Sequence, residues 1–214
     1  QLRWKSGDEK ITHATPVSAT ILGTRQIIYF MQSGLVSVSA ADGAELTACY
    51  VDRFGEFLLC STDTQTGVPT VVEPQLARWM QAYGLRGVYR KELTRHVRGA
   101  ASTNSSPTPI LGENAPGSFV IRENGLRFEI RFDEGYSVGL FLDQRDNRRR
   151  VLTNHLAADF ALFLTGSAGA EVLNTFAYTC AFSVCAAMAG ARTTSLDLSK
   201  KHLVWGRRNF ALNG

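Results

Sequence analysis

The first third of the chain alternates polar and apolar side chains in short runs. Residues 26–30 and 35–38 have the two-residue period of β-strands. Asp42-Gly43 is a turn signal, and residues 52–55 lie between two apolar runs, which predicts a hairpin connection. We therefore expect the opening third to consist of short strands joined by tight turns.

A helix is predicted after these strands. Pro74 suits a first helical turn, where its missing N–H costs nothing, and Gly84 favours a helix end. Apolar side chains recur between them at helical spacing, at Leu76, Trp79, Met80 and Tyr83. With a further strand over 88–90, the pattern predicts a small α+β domain over residues 1–98. Residues 99–117 are rich in Ala, Ser, Thr, Asn, Pro and Gly, which predicts a loop or linker.

The clearest local signal is a β-hairpin over residues 118–135. Two arms, 119–123 and 126–132, flank Asn124-Gly125, a pair that readily adopts the positive φ angles of a type I′ turn. The second arm alternates strictly and is expected to place its apolar side chains on one face of the hairpin, at Leu126, Phe128, Ile130 and Phe132.

The last third alternates helical and strand patterns. A long helix is predicted over 144–164, basic at its start and apolar at its end. Strands and helices then alternate over 172–176, 182–189, 193–198 and 200–212. Such alternation implies a parallel sheet covered by helices. The predicted fold class is therefore α/β, a small α+β domain and a hairpin followed by the start of a Rossmann-like domain over 136–214.

Composition and charge narrow the class of protein. The 214 residues are 44% hydrophobic and 20% charged, an ordinary globular balance, and the net charge of +4 is compatible with a polyanionic partner without requiring one. No apolar run has the length of a membrane span, so we expect no membrane association. The four cysteines form no C-x-x-C pair and the four histidines are scattered, which predicts no metal site, reduced thiols and a cytoplasmic location.

The strand ends carry the candidate cofactor chemistry. Asp197 ends the second predicted strand, about twenty positions beyond the turn 174–179, where an acid can accept hydrogen bonds from ribose hydroxyls. That turn lacks the G-x-G-x-x-G pattern, which disfavours a dinucleotide. S-adenosylmethionine (SAM) has no phosphate and fits better. Two alternatives stay open. Asp197 also has the position of an acidic residue at a helix start beside Ser199, where the helix dipole favours negative charge. Phe176 and Tyr178 also have the residue types of a packed core.

Four segments resemble a known family and occur in its order. They are 139–148 (GLFLDQRDNR), 172–184 (VLNTFAYTCAFSV), 195–200 (SLDLSK) and 209–214 (NFALNG). They resemble the large-subunit (23S) ribosomal RNA methyltransferases related to the PUA-domain cytosine-C5 enzyme, and residues 51–55 resemble that family's central domain more weakly. The resemblance implies a Rossmann-like class I SAM-dependent methyltransferase that transfers a methyl group from SAM to a base of ribosomal RNA.

The resemblance also implies roles for individual residues. Asp197 would hold the ribose, and the turn 174–179 would wrap the methionine part, with the Tyr178 ring close to the sulfonium cation. The expected cofactor-binding set is Asp143, Gln144, Arg145, Asn174, Phe176, Tyr178, Thr179, Asp197 and Ser199. The alternative role for Arg145 is structural, in an ion pair with Asp143 or Glu171.

The chain departs from the family pattern in two short segments and at its end. Tyr136-Ser137-Val138 replaces the usual Gln-Lys-Thr, and Cys180-Ala181 replaces the usual Gly-Gly. The family's Asp-Pro-Pro loop is expected beyond Gly214, so the chain is expected to be truncated before it, and no catalytic residue is assigned. Cys180 and Cys185 are expected to be small buried residues rather than nucleophiles.

Basic side chains supply candidate phosphate contacts, with a solvated surface as the alternative for each one. They are Arg86, Arg90, Lys91, Arg95, Arg98, Arg148, Arg149 and Arg150. A different class of function also stays open, a non-catalytic RNA-binding scaffold with a degenerate methyltransferase fold. The pattern determines neither the target nucleotide nor the oligomeric state.

Overall fold

The computed structural model describes residues 16–21, 24–31, 34–46, 49–63, 72–93, 106–135 and 137–214. These residues form twelve β-strands, four α-helices and one 3-10 helix. The strands group into two four-stranded sheets, one hairpin and one parallel pair. None of the helices in these ranges is both long enough and apolar enough to cross a membrane.

The first sheet is an antiparallel meander. Its strands follow one another in chain order, β1 (Val17–Ile21), β2 (Thr24–Met31), β3 (Gly34–Ser39) and β4 (Glu45–Leu46). The strands predicted over 26–30 and 35–38 lie within β2 and β3. The turn predicted at Asp42-Gly43 is present, since Gly43 has a φ of +72° and the Asp42 carboxylate accepts the Ala44 N–H at 3.1 Å.

The second sheet contains a parallel crossover. Its strands are β5 (Cys49–Phe54), β6 (Phe57–Asp63), β7 (Gly87–Leu93) and β8 (Thr108–Gly112), in that spatial order. Helix α1 (Glu73–Ala82) joins β6 to β7, which pair in parallel, while the other two pairs are antiparallel.

The hairpin predicted around 52–55 is confirmed, since β5 and β6 pair antiparallel, but its turn is shorter because β5 continues to Phe54 and pairs there with Phe57. A second expectation for this region is wrong. The loop predicted over 99–117 holds strand β8, which completes the edge of the second sheet beside β7. The residue types in the predicted loop do not indicate that β8 pairs with β7, because β7 lies some twenty residues away in the sequence. Residues 99–105 lie outside the described residues.

The predicted hairpin is confirmed. Strands β9 (Phe119–Glu123) and β10 (Leu126–Ile130) pair antiparallel across Asn124 and Gly125, whose φ angles are +51° and +85°. Both residues tolerate this left-handed conformation, which matches the strand twist. Ile121 and Phe128 pair on the inner face and are buried.

The last third is an α/β unit, as predicted. Its elements are the 3-10 helix Leu142–Gln144, α2 (Arg145–Thr153), β11 (Glu171–Thr175), α3 (Ala181–Met188), β12 (Arg192–Leu196) and α4 (Lys200–Ala211). Strands β11 and β12 pair in parallel, with Asn174 opposite Ser195. The carboxyl ends of both strands therefore meet at one edge, which is where nucleoside cofactors bind in such sheets.

The long helix predicted over 144–164 is wrong beyond Thr153. Asn154 ends α2 in the left-handed conformation, with a φ of +52°. Its side-chain amide pairs with the Phe163 backbone, accepting the N–H at 2.7 Å and donating to the carbonyl at 3.1 Å. The chain therefore turns back on itself, because Asn both tolerates this backbone conformation and satisfies backbone groups.

One hydrophobic core connects the second sheet to the hairpin and to α3. Phe57 and Tyr89 of the second sheet contact Phe132 just after β10, and the Tyr89 and Phe132 ring centroids are 4.6 Å apart. The same core continues to Val184 and Cys185 of α3. The domain limits 1–98, 99–117, 118–135 and 136–214 remain predictions, and this continuous core crosses them.

Helix α4 covers the free edge of β10. The Asn213 side chain accepts the Arg127 N–H at 2.9 Å and donates to its carbonyl at 2.8 Å. Asn209 accepts the Glu129 N–H at 2.8 Å, and Trp205 donates to the Glu129 carbonyl at 3.1 Å. Residues four apart lie on one helix face. This face of α4 therefore provides hydrogen-bond partners for the backbone groups at the edge of β10, much as another strand would.

Candidate cofactor site

Asp197 lies immediately after β12 and joins the two turns that follow the parallel strands. One carboxylate oxygen accepts the Tyr178 backbone N–H at 2.8 Å, and the other accepts the Ser199 backbone N–H at 2.8 Å. The Ala177 N–H, in the same turn as Tyr178, donates to the Leu196 carbonyl at 3.0 Å. The two strand ends are thereby fixed relative to each other.

The Asp197 carboxylate keeps acceptor capacity for a ligand. A carboxylate offers about four lone pairs, and the two backbone bonds occupy one on each oxygen. These N–H bonds, first that of Ser199 and then that of Tyr178, hold the Asp197 pKa below its usual value. The side chain is partly exposed and ionised at neutral pH, so it fits the role of an acceptor for two hydroxyl groups.

The turn between β11 and α3 has an unusual backbone. Phe176, Tyr178 and Cys180 all have positive φ angles, of +57°, +49° and +59°. This conformation is unfavourable for residues other than glycine and is found where a functional turn requires it. Phe176 is 89% exposed at the tip of the turn. An exposed aromatic ring in a strained turn beside Asp197 offers a surface for an apolar part of a ligand.

Tyr178 is held by three aromatic rings and one hydrogen bond. Its ring centroid lies 4.6 Å from His202, 5.3 Å from Phe141 and 6.3 Å from Trp205. Its hydroxyl donates to the Ser137 carbonyl at 3.0 Å, and burial raises its pKa to about 12. Tyr178 therefore connects the turn to the segment before the 3-10 helix and stays protonated at neutral pH.

Other residues of the expected set support the turn. Thr179 is buried, and its hydroxyl donates to the Gly139 carbonyl at 2.6 Å. Asn174 donates to the Ser183 hydroxyl of α3 at 2.8 Å. Ser199 caps α4, since its hydroxyl accepts the His202 N–H at 3.3 Å. The side chains of these residues are thus engaged within the protein, and each fixes an element that carries the site.

Asp143, Gln144 and Arg145 lie on the segment that enters α2. The Gln144 amide donates to the Asp143 carboxylate at 2.8 Å, and the Arg145 side chain is exposed. Arg145 forms neither of its alternative ion pairs among the described residues, with Asp143 or with Glu171, and Glu171 pairs with Arg192 at 3.7 Å. The ring contact between Phe141 and Tyr178 links this segment to the turn. Within the described residues, none of these three side chains forms a hydrogen bond or an ion pair with Asp197.

The two cysteines near the turn are not in the protonation state of a nucleophile. Cys180 and Cys185 are buried, and burial raises the pKa of both thiols, that of Cys185 to about 12. Both therefore stay protonated, whereas the thiolate is the reactive form. Within the described ranges, no three His, Cys, Asp or Glu side chains come together in a way that could hold a metal ion.

Sequence reasoning missed the residue that connects this turn to the hairpin. Asn209 is fully buried and bridges two elements, accepting the Glu129 N–H at 2.8 Å and donating to the Thr179 carbonyl at 2.9 Å. The sequence signal that could have identified Asn209 is its four-residue spacing from Trp205 and from Asn213, which places the three residues on one helix face. Gly206 allows the close contact of α4 with the turn, because a Cβ there would lie 2.4 Å from the Cys180 sulfur.

Most of the expected phosphate contacts have other partners. Arg148 is 2% exposed and forms two bonds to the Glu123 carboxylate, at 2.6 and 2.9 Å, so its expected role at the surface is wrong. Arg86 pairs with Glu56 and Glu113, and Arg90 pairs with Glu92. Arg149 and Arg150 contact Asp146 and Asn147 within α2. Arg95 and Arg98 lie outside the described residues.

Comparison with known families decides the class of this site. Residues 94–214 match the model of the S-adenosylmethionine-dependent methyltransferase family. The chain belongs to this family. The expected cofactor, SAM, and the expected Rossmann-like class I methyltransferase fold are thereby confirmed. The match includes Asp197, the turn after β11 and the segment from Asp143 to Arg145.

Curated relatives and solved structures agree with this assignment. The chain is 47% identical to a Deinococcus radiodurans ribosomal RNA large subunit methyltransferase, over 76% of this chain and 37% of that protein. It is 36% identical to the Psychrobacter arcticus ribosomal RNA large subunit methyltransferase K/L, over 77% of this chain and 20% of that protein. The chain thus spans between a fifth and two fifths of these relatives.

Two solved structures share its fold. A Streptococcus mutans protein described as a SAM-dependent methyltransferase is 32% identical, with a TM-score of 0.57 over 77% of this chain and 39% of that one. A methyltransferase in complex with SAH is 31% identical, with a TM-score of 0.57 over 77% of this chain and 38% of that one.

Proposed function

We propose that this chain provides the SAM-binding part of a methyltransferase that modifies a base of large-subunit ribosomal RNA. The names of the Deinococcus and Psychrobacter relatives support the RNA substrate. The chain covers only part of each relative, and its net charge of +4 is compatible with a polyanionic substrate. A cytoplasmic location follows from this proposal, because ribosomal RNA is the substrate.

The observation that carries the cofactor assignment is the geometry of Asp197. Its carboxylate is ionised, is fixed by two backbone N–H groups and still has a free acceptor position on each oxygen. Two adjacent ribose hydroxyls are donors that suit this arrangement. The exposed Phe176 ring and the turn beside it provide the neighbouring apolar surface. The residues present therefore fit SAM.

The remaining expected residues complete the proposed site. SAM supplies a methyl group on a positively charged sulfonium when it is bound. We place the Tyr178 ring, which is held by Phe141 and His202, beside that cation, since aromatic faces attract cations. Asp143, Gln144 and Arg145 would contribute from the segment that the Phe141 ring links to the turn. Thr179, Asn174 and Ser199 act indirectly, by holding the turn and the start of α4.

The chain contributes mainly binding and alignment to the proposed reaction. Methyl transfer by direct displacement requires donor and acceptor to be close and aligned, and a fixed site supplies this. The acceptor base has to be unstacked or taken from a single-stranded segment. Tyr178, Cys180 and Cys185 stay protonated at neutral pH, so none of them is assigned as a base or nucleophile.

Transfer of a tritiated methyl group tests this function. The protein in its full encoded length is incubated with labelled SAM and deproteinised large-subunit ribosomal RNA from a strain that lacks the gene. We expect label in the RNA, lost in Asp197→Ala and retained in Asp146→Ala, a control in which an exposed acid of α2 is removed. RNA binding without incorporation of label would instead support the non-catalytic scaffold.

A further inference from the structure

The outer face of the hairpin carries an unfavourable pair of charges. Arg122 and Arg127 lie directly opposite each other on β9 and β10, and both side chains are exposed. Like charges in directly opposite positions destabilise a sheet. Among the described residues neither guanidinium forms an ion pair, although most other arginines of this part of the chain do. Folding therefore gives no reason for this pair.

The basic surface continues along α4. This helix covers the edge of β10 and runs antiparallel to it. Asn213 is hydrogen-bonded to Arg127, and Trp205 is hydrogen-bonded to Glu129. Arg208 pairs with Glu129 at 2.5 Å, and Lys201 pairs with Glu134. Lys200 begins the helix and is exposed. The twelve residues of α4 extend about 18 Å.

A cavity lies between α4 and the end of β10. It has a volume of about 270 Å³ and is lined by Arg131, Glu134, Lys200, Lys201, Val204, Trp205 and Arg208. Arg131 is paired with Asp133 and Glu134 at 3.3 and 3.4 Å. The cavity is open to solvent, and four of its seven lining residues are basic. Three of these four, Arg131, Lys201 and Arg208, are paired with acidic side chains, whereas within the described ranges Lys200 is not.

The hairpin face, α4 and this cavity form one basic strip. The basic strip comprises Arg122, Arg127, Arg131, Lys200, Lys201 and Arg208. Three acidic side chains, Glu129, Asp133 and Glu134, accompany these six basic ones. The strip therefore holds an excess of three positive charges in a chain whose whole net charge is +4.

One end of the basic strip reaches the cofactor site. Lys200 follows Ser199, which caps α4 and whose backbone N–H is bound by Asp197. From there the strip leads away to Arg122 and Arg127 at the far end of the hairpin. A chain of phosphates lying on this strip would have one end beside the site at which a methyl group is transferred.

We propose that the basic strip binds the phosphate backbone of the substrate RNA and so directs an acceptor base to the cofactor site. This inference rests on the proposed function for the identity of the polyanion. Arg122 and Arg127 would contribute phosphate contacts at the outer end, which accounts for a like-charged pair that folding disfavours. Lys200, which is exposed and forms no ion pair among the described residues, would contribute a contact at the inner end.

The test measures RNA binding and its dependence on salt. A fluorescein-labelled 20-nucleotide single-stranded RNA of mixed sequence is titrated by anisotropy at four salt concentrations. The proteins are wild type, Arg122→Gln/Arg127→Gln and Arg78→Gln, the control, which removes an exposed arginine of α1. For single strands the slope of log affinity against log salt is about −0.7 for each phosphate contact.

We expect the double variant to bind at least tenfold more weakly at low salt, with a slope shallower by about 1.4. Arg78→Gln should match wild type. SAM affinity by calorimetry and the unfolding temperature should not fall in the double variant, because the exposed pair supports neither. Equal RNA affinity and slope in all three proteins would overturn the basic strip alone and leave the proposed function intact.

Two further outcomes separate this inference from the proposed function. If wild type binds no RNA, both the basic strip and the RNA substrate are wrong. If the double variant loses RNA binding but wild type transfers no methyl group to RNA, the strip stands and the methyltransferase activity does not. Polyglutamate added as a competitor checks for an acidic protein partner, and stronger binding of polyglutamate than of RNA would contradict the proposal.

Discussion

The Asp197 carboxylate accepts the backbone N–H of Tyr178 at 2.8 Å, across nineteen residues of chain. This bond ties the end of β12 to the strained turn after β11, and a second bond to Ser199 ties it to the start of α4. Asp197 therefore has two functions. It organises the turn, and it presents its remaining lone pairs to the cofactor.

The first prediction concerns pH. Backbone hydrogen bonds lower the Asp197 pKa in the folded state, so its ionised form stabilises the fold above the unfolded pKa of about 3.9. That contribution is lost as the pH falls through the lower folded pKa. Asp197→Asn should therefore be less stable than wild type at pH 7 by roughly 1 kcal/mol, a small value because the group is partly exposed to water.

Urea unfolding at pH 7 and at pH 3 measures this effect. The difference between wild type and Asp197→Asn should shrink at the lower pH, where the wild-type carboxylate approaches protonation. A difference that is the same at both values would show that ionised Asp197 does not stabilise the turn.

The second prediction concerns the contact between Gly206 and Cys180. A Cβ at position 206 would lie 2.4 Å from the Cys180 sulfur and 2.9 Å from its Cβ. Gly206→Ala should therefore destabilise the protein by about 1–3 kcal/mol. Cys180→Gly removes both atoms and suits the positive φ at that position, so the double variant should regain most of the loss.

A double-mutant cycle by thermal or urea unfolding measures this coupling. Cys180→Gly alone serves as the control and should change stability little, because relief of backbone strain offsets the lost thiol packing. If the double variant is as unstable as Gly206→Ala, the clash with Cys180 is not the reason for glycine at this position.

The third prediction concerns Asn209. Its removal leaves the buried Glu129 N–H and Thr179 carbonyl without partners, and each buried unsatisfied group costs about 1–3 kcal/mol. Asn209→Ala should therefore destabilise the fold by roughly 2–4 kcal/mol. Asn213→Ala is the matched control from the same helix face, and it should cost less because its groups are closer to water.

Asn209→Ala should also weaken SAM binding, since it releases the carbonyl that holds the turn. Calorimetry below the unfolding temperature separates this effect from global unfolding. If Asn209→Ala loses stability but binds SAM as tightly as wild type, Asn209 supports the hairpin edge and not the site.

The fourth prediction concerns the buried pair Arg148 and Glu123. Removing one partner leaves the other charge buried, which costs about 3–5 kcal/mol. Arg148→Met and Glu123→Leu should each be strongly destabilising. The combined variant should lose much less than the two single losses together, as urea unfolding would show. Additive losses would mean that the two side chains stabilise the fold independently.

Local signals account for the elements that were predicted correctly. Asn124-Gly125 specifies its own turn, and the alternation in β10 specifies the buried face, so both could be found without knowledge of distant residues. The parallel pair β11 and β12 was predicted because strand and helix patterns alternate. Asp197 was found because its distance from the turn matches the geometry of nucleoside-binding sheets.

Contacts between distant residues account for what was missed. Asn154 ends α2 by bonding to Phe163, although the apolar pattern continues past it. Arg148 looks like a surface residue of a basic helix, but its partner Glu123 lies 25 residues earlier. Strand β8 forms because β7 offers it an edge. A composition typical of loops does not reveal such pairing.

Binding of SAM at the Asp197 carboxylate is measured by calorimetric titration. Wild type, Asp197→Ala and Asp146→Ala are compared, and Asp146 is chosen because it is an exposed acid outside the turn. We expect saturable binding of SAM to wild type and to Asp146→Ala, and affinity at least tenfold weaker in Asp197→Ala, which corresponds to about 1.4 kcal/mol. Equal affinity in all three proteins, or no binding of SAM to wild type, would contradict the assignment of this site.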